Sequence, residues 1–589
     1  MTQLRGILLL LGYGILGLLS TVAEAQSSSA DKFTAAAFQA IARAEPEAPI
    51  VAWVFFTDKG DEIPAKLAAA QEGLSPHAYQ RRKRNRKGAP LVDMYDLPVH
   101  PPYVQQVRRR VIRVRHKSRW LNAVSVEATP AQLRQVGRLP FVRRIDLVHR
   151  YRIDRPRPKP VSEHQPGKLS RTSLLDYGIS FTQNSLINVP LLHERGLSGK
   201  GVIICMLDAG FNNLNHEALS HLNILATRDF ANHDDNVSDE PGQLGNGNHG
   251  TWTLSALAGF APGKLIGPAY GATFLLARTE ITDSMGVDYE RHVEEDNWVA
   301  GAEWADSLGA DIISSSLGYL DGFTHGEFNY SWEDMDGNTT LVTRAADIAA
   351  GRGILVVNSA GNGGAAPPGR NTLIGPADGD SVLAVGAVDS TGNRAGFSST
   401  GPTVDGRIKP DVMAMGRAVV CASAVNPNGY VRLSGTSLSC PLVAGAAALL
   451  LEQNPTATNM DIMEALKATA SNADQPDGLM GYGIINAFRA SLLLSQGETE
   501  IPDRPVLLPN YPNPFNLFTT IRFSLPESAE IELALYSPLG QKVALLRKGF
   551  QPAGIDAVVW SGAGHASGVY VVVLRVGSHL DARKILLVR

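Results

Sequence analysis

Apolar and polar positions along the chain fall into three parts with different periodicities. In the first part, alternating or continuously apolar runs predict β-strands at residues 49–57, 122–127 and 141–148. Helical spacing follows Thr129, a typical N-cap residue, and an alanine-rich amphipathic stretch spans residues 30–44. These elements predict a small α+β module over residues 26–157.

In the second part, residues 177–495, nearly continuous apolar runs alternate with stretches of helical spacing. Such runs are typical of strands buried on both faces of a parallel sheet. We predict strands at 199–208, 311–316 and 354–359, and helices at 297–308, 342–351 and over the apolar residues 443–451. Pro441 is expected in the first turn of the last helix, where proline is tolerated. The alternation predicts an α/β domain with a mostly parallel sheet.

The third part, residues 505–589, has short β-branched or alternating runs separated by proline and glycine. These runs, at 521–525, 531–536, 557–560 and 569–576, predict a small all-β sandwich. Two polar linkers are predicted between the parts, at 158–176 and 496–504.

The N-terminus has the pattern of a secretory signal peptide over residues 1–25. Arg5 precedes an apolar run at residues 6–19, and Ala23-Glu24-Ala25 fits a cleavage site. A membrane anchor is the alternative, but the run is shorter than the ~20 residues that a spanning helix needs. We therefore expect a secreted mature chain without a transmembrane segment.

Charge is distributed unevenly along the 589 residues, although the net charge is only −3. Residues 26–160 contain 26 lysines and arginines against 12 acidic residues, whereas residues 161–500 contain 18 against 38. The two parts could attract each other. Nucleic-acid binding is the alternative for the basic part, but no pattern of stacking aromatic residues supports it. The basic run at residues 81–87 is expected to be solvated.

Four short motifs in the second part contain residue types that catalysis uses. Asp208 ends a predicted buried strand, His249 begins a helix of small residues, and Asn362 follows a strand among glycines. Ser437 lies at a helix start, where backbone N–H groups favour negative charge. Each residue alone also fits a structural role, in a turn, a core or a helix cap. Together they supply a nucleophile, a base, an orienting acid and an oxyanion donor.

In this order the motifs VIICMLDAG, NHGT, SAGN and GTSLSCP resemble those of the subtilases, the subtilisin-like serine peptidases. The resemblance covers residues 177–493. It implies a subtilisin-like endopeptidase that cleaves peptide bonds through an acyl-enzyme, with Asp208, His249 and Ser437 as the triad and Asn362 as the oxyanion donor. A catalytically silent binding protein on the same scaffold is the alternative, and the intact set of four residues argues against it.

The resemblance also implies which residues bind protein or peptide substrates. They are Ser316, Leu317 and Gly318, as the edge that pairs with the substrate backbone, and Ser359, Ala360 and Gly361. The segment Lys409–Val412 resembles a structural turn of the family. Ala414-Met415-Gly416 departs from the usual Ala-Pro-Gly, which predicts a local loop change without loss of activity.

The flanking parts resemble known modules. By its position, the basic module resembles a subtilase propeptide, which implies a proenzyme inhibited by its own N-terminal segment. In the third part, YPNPFN at 511–516, YSPLGQ at 536–541, ASGVY at 566–570 and Arg583-Lys584 resemble the sorting domain of the type IX secretion system. This resemblance implies contact with the secretion machinery and export across the outer membrane, to the medium or the cell surface. A sandwich that binds carbohydrate or protein is the alternative.

Three further expectations concern metals, cysteines and a polar loop. No cofactor is expected; the acidic loop 234–240 has oxygen ligands that suit a structural calcium ion, or is simply solvated. Cys205, Cys421 and Cys440 are predicted to be buried free thiols. The segment 319–338 contains five aromatic residues among polar ones, and either borders the substrate cleft or packs on the domain surface.

Overall fold

The computed structural model describes residues 32–148, 175–243, 245–281, 292–320, 329–496, 504–510, 513–515, 518–562 and 564–588. The predicted signal peptide and nearly all of both predicted linkers lie outside these residues. The described chain divides into two compact units. Residues 73–91 belong to the second unit together with everything after residue 150, and the first unit contains the rest of the N-terminal part.

The N-terminal part is an α+β module. Its elements are α1 Ala35–Arg43, β1 Ile50–Phe56, α2 Ile63–Glu72, α3 Pro76–Asn85, α4 Pro101–Arg108, β2 Arg113–Ser118, β3 Ala123–Ala128, α5 Pro130–Gly137 and β4 Val142–Val148. All except α3 belong to the first unit, whose antiparallel sheet has the order β2-β3-β1-β4. Thr129 caps α5 in a capping box with Gln132. The three predicted strands and both predicted helices are present, whereas β2, α2, α3 and α4 were not predicted.

The second unit is an α/β domain followed by β-sheets. Its α/β elements are α6 Phe181–Ser185, α7 Pro190–His193, β5 Ile203–Asp208, β6 Asn223–Asp229, α8 Asn248–Ala258, β7 Phe260–Ala261, β8 Leu265–Ile266, β9 Thr273–Arg278, α9 His292–Leu308, β10 Ile312–Ser315, α10 Leu341–Gly351, β11 Leu355–Ser359, β12 Val382–Val388, β13 Val412–Met415, β14 Val419–Ala422, β15 Tyr430–Leu433, α11 Thr436–Gln453, α12 Asn459–Ala468 and α13 Ala487–Gln496. The predicted strands and helices of this part are confirmed.

A seven-stranded parallel sheet forms the centre of this domain, in the order β13-β12-β11-β10-β5-β9-β6. The apolar helix α11 packs in the core against this sheet. Among the described residues, α11 alone has the length and hydropathy of a membrane-spanning helix, and 83% of it is buried. The carboxyl ends of β5, β10 and β11 meet at one edge of the sheet, beside the start of α11.

The C-terminal strands form two antiparallel sheets that share one core. They are β16 Val506–Leu507, β17 Phe518–Leu525, β18 Ala529–Tyr536, β19 Lys542–Gln551, β20 Gly554–Ser561, β21 Gly568–Val576 and β22 His579–Leu587. The sheets have the orders β16-β17-β20 and β19-β18-β21-β22. Phe523 of one sheet and Leu533 of the other belong to the same hydrophobic cluster. The predicted all-β architecture is confirmed, and β16, β19 and β22 are additions to it.

The basic run at residues 81–87 is solvated only in part: Lys83 and Lys87 are exposed as predicted, but Arg81 and Arg82 are buried. Arg81 and Arg82 on α3 are both about 1% exposed, and both guanidinium groups bind Asp306 of α9. Arg81 also donates to the carbonyl oxygens of Ala310, at 2.5 Å, and Arg352, at 3.1 Å. These carbonyls lie just beyond the C-terminal ends of α9 and α10, where helix dipoles favour a cation. The prediction failed because the partners are distant in sequence.

Candidate active site

Asp208 and His249 form the best-defined pair of the site. Asp208 ends β5, is fully buried, and its Oδ1 lies 2.6 Å from Nδ1 of His249. The same carboxylate accepts hydrogen bonds from Ala209 N at 2.7 Å and from Thr253 Oγ1 at 2.8 Å. This contact suits the tautomer in which Nδ1–H donates to the carboxylate and Nε2 is the ring nitrogen that can accept a proton.

Close packing of β5 against α8 brings this pair together. A Cβ atom on Gly250 would lie 2.1 Å from the carbonyl oxygen of Gly210, so only glycine fits after His249. Thr253 is one turn further along α8, on the face that points toward Asp208. The sequence motif NHGT thus has a steric reason for its glycine.

Two hydrogen bonds attach Ser437 to Ser316, the residue that follows β10. Ser437 Oγ donates to the carbonyl oxygen of Ser316 at 3.2 Å, and Ser316 Oγ donates to the carbonyl oxygen of Ser437 at 2.8 Å. Ser316 follows β10, which pairs with β5 in a register that aligns Ser315 with Leu207. Ser316 therefore lies beside Asp208 at the sheet edge, and Ser437 is brought to the same edge.

Pro441 lies inside α11 and not in its first turn, contrary to the prediction. Proline has no N–H, so it cannot donate to the carbonyl four residues earlier, which is that of Ser437. Ser316 Oγ takes over this role. The proline thus frees a carbonyl by which Ser316 holds the start of the helix.

Asn362 is oriented by Thr436. Its Oδ1 accepts hydrogen bonds from Thr436 N at 2.9 Å and from Thr436 Oγ1 at 3.1 Å. With the amide oxygen held there, Nδ2 is free to donate from the other side of the amide. A Cβ atom on Gly435 would lie 3.7 Å from this Nδ2, so the glycine leaves the space in front of the amide open.

The two predicted substrate segments are tied to each other. Asn358 Nδ2 donates to Leu317 O at 2.9 Å and to Ser359 O at 3.0 Å. Ala360 N donates to Val385 O, and Gly361 N to Thr436 Oγ1 at 3.3 Å. The structure thus brings residues 316–318 and 359–361 to either side of the start of α11. Thr253, Asn358 and Thr436 were missed, because a buried hydroxyl or amide has no local sequence signal.

The aromatic segment 319–338 is described only in part, since residues 321–328, with Phe323 and Phe328, lie outside the described chain. Tyr319 is fully buried, and its hydroxyl donates to Glu280 at 2.6 Å. Burial, and secondly the negative charge of Glu280, raise the pKa of the Tyr319 hydroxyl. Tyr330 donates to Glu295 at 3.2 Å and packs against a small apolar cluster that contains Ala360. Tyr319 and Tyr330 therefore brace the two predicted substrate segments.

The acidic loop 234–240 does not fit a calcium site. Asp234 accepts from Asn236 N and Gln243 Nε2, and Glu240 also accepts from Gln243. The guanidinium of Arg278 lies 3.3 Å from Asp239, which also accepts from Gly247 N. Hydrogen-bond donors of the loop and its neighbours, and the guanidinium of Arg278, thus bind the carboxylate oxygens that a cation would need. In the described part of the chain, no group of three or more His, Cys, Asp or Glu is arranged to hold a metal ion.

All three cysteines are free and buried, as predicted. Cys440 lies one turn after Ser437, and its thiol contacts the carbonyl oxygens of Ser315 and Val357. Burial raises the pKa of this thiol to about 12, so it stays protonated and takes no part as a nucleophile.

Two family models match the chain. Residues 199–483 match the subtilase family, and residues 51–164 match the Peptidase S8 propeptide domain of Bacteroidota. The chain is 33% identical over 308 residues to subtilisin DY of Bacillus licheniformis, a match that covers 52% of this chain and 96% of that protein. It is 34% identical over 318 residues to subtilisin E of Bacillus subtilis (strain 168), covering 54% and 71% of the two chains.

The fold is also similar to that of fervidolysin from Fervidobacterium pennivorans. The TM-score is 0.52 at 20% identity, over 90% of this chain and 70% of that one. This likeness concerns the fold, and the sequence matches carry the family assignment. With an α/β domain that contains the subtilase motifs, preceded by a matching propeptide domain, the chain belongs to the subtilase family of serine peptidases.

Proposed function

We propose that Asp208, His249 and Ser437 carry out the peptide-bond hydrolysis of this subtilase, with Asn362 as the oxyanion donor. The observation that carries the proposal is that two hydrogen-bonded pairs meet at one sheet edge. Asp208 binds His249, Asp208 neighbours Ser316 across two paired strands, and Ser316 exchanges hydrogen bonds with Ser437. A structural role for any one residue would not bring all of them to one place.

Each step of the reaction can then be assigned to one of these residues. Ser437 Oγ gives its proton to His249 Nε2 and attacks the scissile carbonyl carbon, while Asp208 stabilises the imidazolium through Nδ1–H. The oxyanion forms in front of Asn362 Nδ2 and the N–H of Ser437. That N–H lies in the first turn of α11, so it has no acceptor within the helix. His249 then protonates the leaving amine, and water releases the acyl group by the reverse sequence.

The test is casein hydrolysis by Ser437→Ala, with Ser439→Ala as the matched control. Ser439 is a buried serine of the same motif whose hydroxyl donates within the helix, to Thr436 O at 2.9 Å. We expect Ser437→Ala to be folded by circular dichroism but inactive, and Ser439→Ala to stay active. Hydrolysis by the Ser437 variant at the wild-type rate would refute the assignment.

We further propose that residues 26–157 inhibit the enzyme until they are removed. The match of residues 51–164 to a propeptide domain supports this, as does the membership of residues 73–91 in the catalytic unit. Arg81 and Arg82 would then hold residues 73–91 of the prosegment on the catalytic domain through Asp306. The purified prosegment should inhibit mature enzyme in trans, and only modestly less in high salt, because buried ion pairs are weakly screened. Absence of inhibition at any salt concentration would contradict an inhibitory role.

Export is the third part of the proposal. Residues 1–25 would direct the chain across the inner membrane, and residues 505–589 across the outer membrane by the type IX route. In the described part of the YPNPFN motif, Asn513 accepts from Leu586 N at 2.8 Å, and Phe515 exchanges backbone hydrogen bonds with Leu586 and Val588. The motif thus secures the last strand, which contains Arg583-Lys584. Deleting residues 505–589 should leave the peptidase in the periplasm; unchanged appearance in the medium would favour a carbohydrate- or protein-binding role.

A further inference from the structure

Ile374 fills the gap between the two proposed substrate segments. A Cβ atom on Gly318 would lie 2.1 Å from Cδ1 of Ile374, and one on Gly361 would lie 3.1 Å from its Cγ2. The Ile374 side chain can therefore enter this space only because residue 318 is glycine. A side chain at position 361 would also come close to Ile374. Ile374 is partly exposed, as a residue that lines an open cleft should be.

The backbone on both sides of Ile374 is fixed. Gly375 N donates to Tyr319 O at 3.0 Å, and Tyr319 N donates to Gly375 O at 2.9 Å. On the other side, Leu373 is fully buried in a cluster with Met335 and Ala360. These contacts fix the backbone from which the Ile374 side chain projects into the gap.

The chemistry of the site assigns an occupant to this gap. During acylation the carbonyl carbon is bonded to Ser437 Oγ, and its oxygen points at Asn362. If the substrate backbone pairs with residues 316–318, the side chain next to that carbonyl enters between this segment and residues 359–361. Ile374 already occupies that space.

We propose that Ile374 closes the pocket for the residue that contributes the scissile carbonyl, and restricts it to small side chains such as those of glycine, alanine and serine. The inference rests on the proposed roles of Ser437 and Asn362. It adds a cleavage preference that the triad alone does not define. Differences of this kind in an apolar pocket change kcat/KM by about ten- to two-hundredfold.

The test compares peptides succinyl-Ala-Ala-Pro-X-p-nitroanilide, with X as alanine, leucine or phenylalanine. Active sites are counted with a fluorophosphonate, so that kcat/KM refers to reactive enzyme. Wild type should cleave the alanine peptide at least about tenfold better than the phenylalanine peptide. Ile374→Ala should raise the phenylalanine-to-alanine ratio at least about tenfold. The control is Ile484→Ala, another partly buried isoleucine whose Cδ1 packs near a glycine, Gly392, and it should leave the ratio unchanged.

A wild-type preference for phenylalanine, or an unchanged ratio in active Ile374→Ala, would overturn the role of Ile374. If that variant does not fold, the cleavage sites of wild type in denatured casein decide, since frequent cuts after large residues overturn the proposal. Enzyme that cleaves peptides but takes up no fluorophosphonate would instead overturn the proposed nucleophile, so the two failures are distinguishable.

Discussion

Replacing Asp306 by asparagine should strongly destabilise the precursor. The fully buried Asp306 carboxylate is shared by the guanidinium groups of Arg81 and Arg82, and Oδ2 lies 2.8 Å from Arg82. Burial lowers the pKa of Arg81 to about 10, so this arginine remains charged at neutral pH. Asparagine keeps the volume but removes the counter-charge. Breaking a buried pair in this way costs about 3–5 kcal/mol, because an uncompensated buried charge is left.

The assay is urea unfolding of the inactive Ser437→Ala precursor, which cannot process itself. Asp235→Asn is the matched control. Asp235 pairs with Arg228 at 2.9 Å, but its side chain is 78% exposed, so this substitution should lower the free energy of unfolding by less than about 1 kcal/mol. A double-mutant cycle of Asp306→Asn with Arg81→Ala should give a coupling energy above about 1 kcal/mol. Equal losses for the Asp306 and Asp235 variants, or no coupling, would refute the idea that α3 is anchored by this charge cluster.

The remaining predictions concern the site, pH and metals. Asn362→Leu should lower kcat about 10²–10³-fold with little change in KM, the range known for the equivalent loss in a subtilisin. Thr253→Val removes one donor to Asp208 and should lower kcat/KM about tenfold, measured with a peptide nitroanilide. Burial lowers the pKa of His193 from 6.5 to about 4, because the buried site disfavours the charged imidazolium. The free energy of unfolding should therefore be at its full value above pH 6.5 and fall by about 3 kcal/mol as the pH is lowered toward 4. His193→Gln should remove most of that loss in urea unfolding of the Ser437→Ala precursor. EDTA should leave the melting temperature within about 1 °C, because internal donors occupy the acidic loop.

The sequence predicted the strands and helices whose apolar residues form a regular or continuous pattern. The apolar run before Asp208 could only be a central strand, and the uncharged residues 443–451 could only be a core helix, as β5 and α11 are. The four proposed catalytic residues were also visible, because each lies at or just after the end of a predicted strand or at the start of a predicted helix, in an ordered motif.

What the sequence missed depends on partners far away in the chain. Arg81 and Arg82 looked solvated because their local surroundings are polar, and Asp306 lies 225 and 224 residues further on. Thr253, Asn358 and Thr436 are polar residues in buried elements, where only the folded contacts reveal what they orient. Ile374 has no motif of its own, and its position follows from the backbone pairing of Tyr319 with Gly375.

The most direct test of the central claim is mass spectrometry of the mature enzyme after reaction with a fluorophosphonate. We predict one adduct, on the peptide that contains Ser437, and none in Ser437→Ala or after denaturation. His249→Ala should react far more slowly, because the serine then lacks its base. An adduct on another residue, or an active enzyme that forms no adduct, would contradict the assignment of Ser437 as the nucleophile.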